Sequence, residues 1–168
     1  MKIDPNASIT MRGFQARLKV EITQFASGYL NLQRVEGEEI LPFGGGQLNQ
    51  VREQPKWTWQ ARLVTKLSRK LFLQSVITTS QAWLGRNLTD ASLLEDEELK
   101  ERFVIPKYTT LDLMLRYQLS EEFQGFVRGF NVLNKRYGGI QVGRSEENLI
   151  FNPQSQFTFS LGLNYRMK

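Results

Sequence analysis

The sequence contains neither cysteine nor histidine, and both absences restrict its chemistry. Without cysteine, the 168-residue chain can form no disulfide and offers no thiolate as a nucleophile or metal ligand. Without histidine, it lacks the commonest general base and the commonest metal ligand. We therefore expect a chain that is not an enzyme and that holds no metal or cofactor.

Long apolar runs are also missing. No run approaches the roughly 18 apolar residues that a membrane-spanning helix needs, although 40% of the residues are hydrophobic. That fraction is too high for a disordered chain, and 23% charged residues is too high for a helical membrane protein. Length and composition alone indicate one folded domain.

Alternation of apolar and polar residues is the strongest pattern present. From Leu111 to Leu119 the odd positions are leucine or tyrosine, while Asp112, Arg116 and other mostly polar residues fill the even positions. The segments Phe157–Met167 and Trp57–Val64 alternate in the same way. Because successive side chains of a strand point to opposite faces, each segment predicts a strand with one apolar and one polar face.

Weaker patterns bring the total to about seven strands in an all-β, antiparallel meander. The other predicted strands are Gly13–Ile22, Tyr29–Val35, Leu71–Trp83 and Phe123–Asn134. Several approach ten residues, the length that crosses a bilayer when tilted. Short connections alternate with long ones, as in outer-membrane barrels, where short periplasmic turns alternate with long extracellular loops.

The long connections contain few further signals. One holds Gly44-Gly45-Gly46, which no Lys-Ser/Thr pair follows, so it predicts a mobile loop rather than a phosphate site. Another begins a short helix at Asp90. Its acidic run Glu95–Glu98 could bind calcium, but it lacks the spacing of a calcium loop, so we interpret it as a solvated surface.

A membrane barrel explains the two faces better than a soluble β protein does. The apolar face from Phe157 to Met167 spans about 33 Å at roughly 3.3 Å per residue, enough for an apolar band about 25 Å tall. Charges lie in mid-strand on the opposite face, which a wide aqueous lumen tolerates and a small packed core does not. The predicted lumen-facing residues are Gln60, Arg62, Asp112, Arg116, Asn164 and Arg166.

Aromatic residues near the strand ends fit the two membrane interfaces, where amphipathic rings are favoured. The main candidates are Trp57, Trp59, Tyr117 and Tyr165, with Trp83, Tyr108 and Tyr137 showing the same placement. The basic balance of 22 Lys and Arg against 17 Asp and Glu is not clustered along the chain. It therefore favours lipopolysaccharide phosphates or an anionic ligand as partners, and not nucleic acid.

Five segments, in order, resemble strands of TonB-dependent outer-membrane receptors. Pro106–Tyr117 and Arg128–Tyr137 resemble two adjacent strands of that family, and Phe151–Pro153 with Phe157–Arg166 resembles its closing strand. Upstream, Arg12–Leu18 and Pro55–Trp57 resemble entries to two earlier strands. The resemblance covers most of the chain and implies the C-terminal part of a 22-stranded barrel that imports scarce nutrients.

The resemblance implies a set of partners and a C-terminal assembly signal. The partners are the rest of the barrel, a plug domain that these residues lack, outer-membrane lipid, TonB through the plug, and an unidentified small nutrient. Siderophores, cobalamin and oligosaccharides are the nutrient classes it implies, and the loops Glu36–Lys56, Gly85–Lys107 and Gly138–Gln154 would help capture the nutrient. Gly162, Tyr165 and Met167 are the assembly-signal candidates, although Met167 replaces the family's final aromatic residue and Lys168 follows it.

Strand number bears on whether the sheet closes. Single-chain bacterial barrels have an even number of strands, and an open edge in lipid leaves backbone groups unsatisfied. About seven strands therefore predict one arc of a larger barrel, with the remainder in the same or another chain. Two alternatives stay open: an eight-stranded barrel with a structural or adhesion role, which needs a strand from Met1–Met11, and a soluble lipid-binding barrel with Leu111, Leu113 and Leu115 inside.

Overall fold

The computed structural model describes residues 6–85, 90–97, 103–144, 149–153 and 155–166. These residues form strands, turns and two 3-10 turns, at Pro42–Gly44 and Ala91–Leu94. The strands are β1 (Ser8–Thr23), β2 (Ala26–Ile40), β3 (Gln47–Leu48), β4 (Trp57–Lys66), β5 (Leu71–Ser80), β6 (Trp83–Leu84), β7 (Val104–Ile105), β8 (Tyr108–Gln118), β9 (Phe123–Phe130), β10 (Gly138–Arg144), β11 (Leu149–Pro153) and β12 (Thr158–Tyr165).

Seven long strands form one antiparallel sheet in the order β1-β2-β4-β5-β8-β9-β12. These are the seven strands predicted from alternation, with β1 and β2 longer than predicted. β5 ends at Ser80 instead of Trp83, and β9 ends at Phe130 instead of Asn134 because Asn131 takes a positive φ. Within the described residues, β1 pairs only with β2 and β12 only with β9, so the sheet is not closed. Six antiparallel steps separate β1 from β12, so the two edge strands run in the same direction.

The connections alternate as the sequence predicts. Residues 24–25, 67–70 and 119–122 make short turns at one end of the sheet, which we call the short-turn end. Ser68 and Ser120 close two of them, since each hydroxyl accepts a hydrogen bond from the backbone N–H three residues on, at 3.1 and 3.2 Å. The opposite end, the long-loop end, carries every longer connection between strands of the sheet.

The two longer connections after β2 and β5 pack together into one body, here called the loop unit. Leu41 and Leu48 are 1% and 2% exposed, and they pack against Leu84, Ala91, Leu93, Leu94 and Phe103. Backbone hydrogen bonds join the two connections, from Ala91 N to Gly45 O and from Glu53 N to Leu84 O, both at 2.7 Å. The loop unit thus contains the most buried apolar side chains of the described residues.

The triple glycine is part of the loop unit, which corrects the prediction of a mobile loop. Gly46 has a φ of +88°, and a Cβ there would lie 3.1 Å from the Cβ of Ala91. Glycine supplies both the left-handed backbone and the close approach at this position. The helix predicted from Asp90 begins with a 3-10 turn, in which the Asp90 carboxylate accepts a hydrogen bond from Ser92 N. Glu97 and Phe103 are helical, and residues 98–102 lie outside the described residues.

The third long connection contains the hairpin β10–β11. Residues 145–148 and Gln154 of the predicted loop Gly138–Gln154 lie outside the described residues, as do Glu98 and Met167. Within the described part of the chain, no helix has both the length and the apolar character needed to cross a membrane.

Candidate functional site

The sheet has two faces of opposite chemistry. The apolar face carries residues such as Leu18, Leu63, Leu115 and Leu161, which are between 38% and 73% exposed. In the described strands, this face bears no charged residue on β4, β5, β8, β9 or β12, nor from Phe14 to Ile22 on β1 or from Ala26 to Leu32 on β2. Leu111, Leu113 and Leu115 lie on this face and surround no closed interior, contrary to the soluble-barrel alternative.

The polar face is predominantly basic from the level of Arg17, which is in register with Asn31 and Gln60 on the next strands, to the short-turn end. Its acidic residues there are Glu21 and Asp112, and its basic residues are Arg17, Lys19, Arg62, Lys66, Arg116, Arg128 and Arg166. Each of the four arginines Arg17, Arg62, Arg116 and Arg128 lies over an aromatic ring, at 3.8–5.9 Å from the ring centroid. These cation–π contacts hold the guanidinium groups in place without neutralising their charge.

The predicted lumen-facing residues all lie on this polar face. Gln60 Nε2 donates to Thr78 Oγ1 at 3.2 Å on the neighbouring strand. Arg62 donates to Gln74 Oε1 and lies over the ring of Tyr29. Cross-strand polar pairs therefore link β4 to β5 along this face.

The remaining predicted residues are spread toward β12. Asp112 accepts a hydrogen bond from Asn131 N at 2.9 Å and lies 3.6 Å from Arg128 Nη2. Arg116 lies over Phe72 at 5.9 Å. Asn164 faces Gln124 in register, and Arg166 N donates to Glu122 O at 3.0 Å. The six residues thus follow the sheet from β4 to β12 and do not converge on one point.

A cavity of about 430 Å³ opens on the polar face near the long-loop end. Its lining combines two phenols, several hydroxyls, one carboxylate and one amide, from Thr78, Tyr108, Thr110, Asp112, Phe130, Asn131, Tyr137, Ser155 and Thr158. Such a lining can stack against a flat ligand and hydrogen-bond to its edge. This cavity is therefore a candidate ligand site on the polar face.

Tyr108 and Tyr137, which the sequence placed at membrane interfaces, line this cavity, and Trp83 packs behind Tyr108. Tyr108 and Tyr137 stack with ring centroids 4.3 Å apart, and Trp83 meets Tyr108 edge-on at 5.8 Å. Trp83 is only 6% exposed and belongs to β6 in the loop unit. The parity of Tyr108 with Asp112 on β8 was the available sequence signal, since it places Tyr108 on the polar face.

Asn131 holds the cavity wall together. It is 3% exposed with a φ of +47°, and its backbone N–H donates to Asp112 Oδ1. Its amide Nδ2 donates to Lys135 O at 2.8 Å and Ser155 O at 3.2 Å, while Oδ1 accepts from Lys135 N at 3.0 Å. Through its backbone and side chain together, Asn131 therefore joins β8, the end of β9 and the segment leading into β12.

The four main interface candidates lie on the apolar face, at opposite ends of the sheet. Trp57 and Trp59 begin β4 at the long-loop end, where Phe14 meets Trp57 edge-on at 6.0 Å. Tyr117 and Tyr165 end their strands at the short-turn end, where Tyr165 stacks on Phe123 at 4.7 Å. Tyr165 and Gly162 are also the described members of the proposed assembly signal; Met167 lies outside the described residues.

Among the described residues, no group of three or more histidine, cysteine, aspartate or glutamate side chains is arranged to hold a metal ion.

No protein-family model and no curated protein matches this sequence. Solved structures do match it. The siderophore receptor PiuA from Acinetobacter baumannii aligns over 98% of this chain and 23% of its own, with a TM-score of 0.72 and 17% identity. The ferric yersiniabactin uptake receptor FyuA from Yersinia pestis aligns over 94% of this chain and 23% of its own, at 0.69 and 15% identity.

The ferripyoverdine receptor of the outer membrane of Pseudomonas aeruginosa also matches, over 95% of this chain and 20% of its own, at 0.63 and 14% identity. The chain thus spans about a fifth to a quarter of the structures it matches. At this identity the match shows the fold: the chain is folded like an open section of the β-barrels of these receptors. The neighbours are transport receptors rather than enzymes.

Proposed function

We propose that this chain forms barrel wall and extracellular loops in the C-terminal part of a TonB-dependent receptor of the bacterial outer membrane. The protein would import a scarce nutrient of the siderophore, cobalamin or oligosaccharide class. The remaining strands and the plug come from the same chain or another. The long-loop end faces outward, and the short-turn end faces the periplasm.

One observation carries this proposal: the apolar face is free of charge where it would meet lipid, whereas the opposite face is basic and partly shielded. A soluble protein arranges its faces the other way. A charged side chain at the centre of a bilayer costs about 2–4 kcal/mol on the lipid face of a barrel. This cost supports a polar face that lines a lumen, where it is hydrated or covered by a plug.

The alternative of a self-contained eight-stranded barrel requires an extra strand between β1 and β12. The region that would supply it is already used, since Ser8 pairs with Ile40 and the rest of β1 follows on β2. The cavity bounded by Tyr108, Tyr137 and Asp112 favours a receptor, because it lies on the lumen-facing side close to the extracellular loops.

Adjacent residues on opposite faces test the placement in the membrane. The chain has no native cysteine, so Leu163→Cys and Asn164→Cys each introduce a single thiol. We expect spin labels to give oxygen accessibility typical of lipid at position 163 and accessibility to a water-soluble nickel complex at position 164. Equal accessibility of both labels to the nickel complex would contradict the proposal.

Nutrient uptake tests the transport role. A strain lacking the protein should lose growth on one iron chelate, cobalamin or oligosaccharide source, and a strain lacking TonB should lose growth on the same source. Retained uptake of every nutrient in the panel by the deletion strain would overturn the receptor assignment.

A further inference from the structure

The first charged residues on the apolar face all lie just beyond its aromatic border at the long-loop end. Arg12 follows the same face as Phe14, two residues or about 7 Å farther along β1. Arg34 on β2 lies over the ring of Trp57, 4.7 Å from its centroid. A strand face that changes from aromatic residues to cations within two residues is typical of the depth of the lipid headgroups.

A groove of about 470 Å³ occupies this border, and Arg12 and Lys56 line it together with Thr10 and Gln50. Among the described residues, neither Arg12 nor Lys56 has a carboxylate within ion-pair distance. The groove thus holds two cations whose charge the described protein groups do not offset by a direct ion pair.

The two acids that also line the groove are already engaged. Glu36 pairs with a terminal nitrogen of Arg34, and Glu38 accepts a hydrogen bond from Gln47 Nε2 at 2.9 Å. The charge of Glu36 is thus offset by Arg34, whereas Glu38 has a neutral partner.

We infer that this groove, the headgroup groove, binds the phosphate of an anionic lipid in the outer leaflet. Arg12 and Lys56 contact the phosphate oxygens, and Arg34, which lies over the Trp57 ring, marks the aromatic border beside them. Arginine and lysine are the usual phosphate ligands, and the apolar face directly below accommodates the acyl chains. The inference rests on the proposed function only for the assignment of the apolar face to lipid.

The test uses the intact protein extracted from membranes and titrated with lipid A carrying its phosphates, with dephosphorylated lipid A and with inorganic phosphate. We expect tight binding only of the phosphorylated lipid. The double variant Arg12→Gln/Lys56→Gln should weaken it about 30-fold, because each cation beside an anionic lipid surface contributes about fivefold. Binding of dephosphorylated lipid A should not change.

Arg17→Gln/Lys19→Gln is the matched control, because it removes the same residue types from the polar face of β1. It should bind phosphorylated lipid A as the parent does, and both variants should retain heat-modifiable electrophoretic mobility. Equal losses in the two variants, an unchanged affinity in the groove variant, or equally tight binding of inorganic phosphate would each overturn the inference. If the inference fails while the label at position 163 still reports lipid, the proposed function stands; a label in water sinks both.

Discussion

Gly162 lies on the polar face of β12, directly beneath the ring of Phe126 on β9. A Cβ at position 162 would meet two ring atoms of Phe126 at 2.6 and 2.8 Å. The phenylalanine thus covers the gap that the glycine leaves, which also explains why β9 carries phenylalanine among the polar-face residues. The same arrangement gives Gly162 a structural reason to be glycine, separate from any role in assembly.

We predict that Gly162→Ala destabilises the intact barrel by about 1–3 kcal/mol, because the Phe126 ring must move to a poorer position. The loss should appear as a lower midpoint in urea titrations of the protein in lipid. Gly125→Ala on the neighbouring strand is the control, since its Cβ would meet only ordinary contacts at 3.7 and 3.9 Å. Equal losses for the two variants would contradict this account.

Asn131 combines a left-handed backbone with a buried amide, and two variants separate these roles. Asn131→Gly keeps the backbone conformation but loses the side-chain hydrogen bonds to Lys135 and Ser155, so we expect a loss of about 2–3 kcal/mol. Asn131→Ala should lose about 1 kcal/mol more, because alanine tolerates a positive φ poorly. Both values can be read from the same urea titrations.

Asn134 provides the comparison for this pair of variants. It also has a positive φ, of 50°, but its side chain is exposed and accepts a single hydrogen bond, from Phe157 N at 3.1 Å. We expect Asn134→Gly to cost at most about 1 kcal/mol. A cost as large as that of Asn131→Gly would mean that burial of the amide is not what matters at position 131.

At the scale of elements, the sheet was predictable from the sequence because alternation is a local signal. The strands β4, β8 and β12 each show their two faces within about ten residues. The strand order is that of the predicted meander, in which each long strand pairs with the next one along the chain. The loop unit was not predictable in the same way. Leu41 and Leu48 become buried only through contacts with residues some 40–60 positions later, such as Ala91 and Phe103.

The candidate site was likewise predictable from the sequence where the signal is local, and not where it depends on contacts between distant residues. Gln60, Arg62, Asp112 and Arg116 were placed on one face by parity alone. The cavity beside Asp112 was missed, because Tyr137 reaches Tyr108 only after Asn131 has turned the chain back across the end of β9. Trp83 was likewise assigned to an interface by its position near a strand end, whereas the packing of β6 against β7 buries it.

Arg34 pairs with Trp57, the first residue of β4, and β2 continues beyond this pair to Ile40. These last residues of β2 contact the loop unit. There Glu39 accepts hydrogen bonds from Arg52 N at 3.0 Å and from Arg52 Nε at 2.9 Å. Burial acts to raise the pKa of Glu39, yet the hydrogen bonds and charge of Arg52 outweigh it and hold the pKa below its usual value. The pair therefore stabilises the loop unit above the unfolded-state pKa, and this contribution is lost as the pH falls through the lower folded-state pKa.

We predict that Arg52→Gln destabilises the loop unit by about 3 kcal/mol, because it leaves a buried carboxylate without its cation. The difference in stability between the parent and the variant should shrink as the pH falls, because protonation removes the uncompensated charge of Glu39. Hydrogen exchange at the amides of Ala91 and Glu53, which join the two connections, measures both effects. Lys19→Gln removes a pair whose side chains are 75% and 73% exposed, and it should leave exchange in the loop unit unchanged; a similar change there would count against this explanation.

For the whole molecule, the direction of the edge strands decides how the sheet can be completed. Since β1 and β12 run in the same direction, antiparallel closure needs an odd number of further strands between them. A second copy of this sheet would place two parallel edges together and cannot provide it. The register defines one row across all seven strands, Val20, Gly28, Leu63, Ser75, Leu113, Gly129 and Phe159.

The separation of the two edge strands distinguishes the possible barrels. Val20 and Phe159 are six inter-strand spacings apart, about 29 Å along the sheet at roughly 4.8 Å per spacing, and only slightly less across a wide barrel. In an eight-stranded barrel, one further strand would join β1 to β12, and the shear of the barrel would bring residues several positions apart along these two strands to about 10–12 Å. We therefore predict that a spin label at Phe159→Cys, combined in turn with labels at Thr10→Cys, Phe14→Cys and Val20→Cys in the intact protein, gives distances of about 20 Å or more for every pair by double electron–electron resonance. Labels at Val20 and Leu63, two spacings apart within the sheet, supply the short reference distance, and a value equal to that reference for any of the three pairs would show that the sheet closes on itself with one further strand.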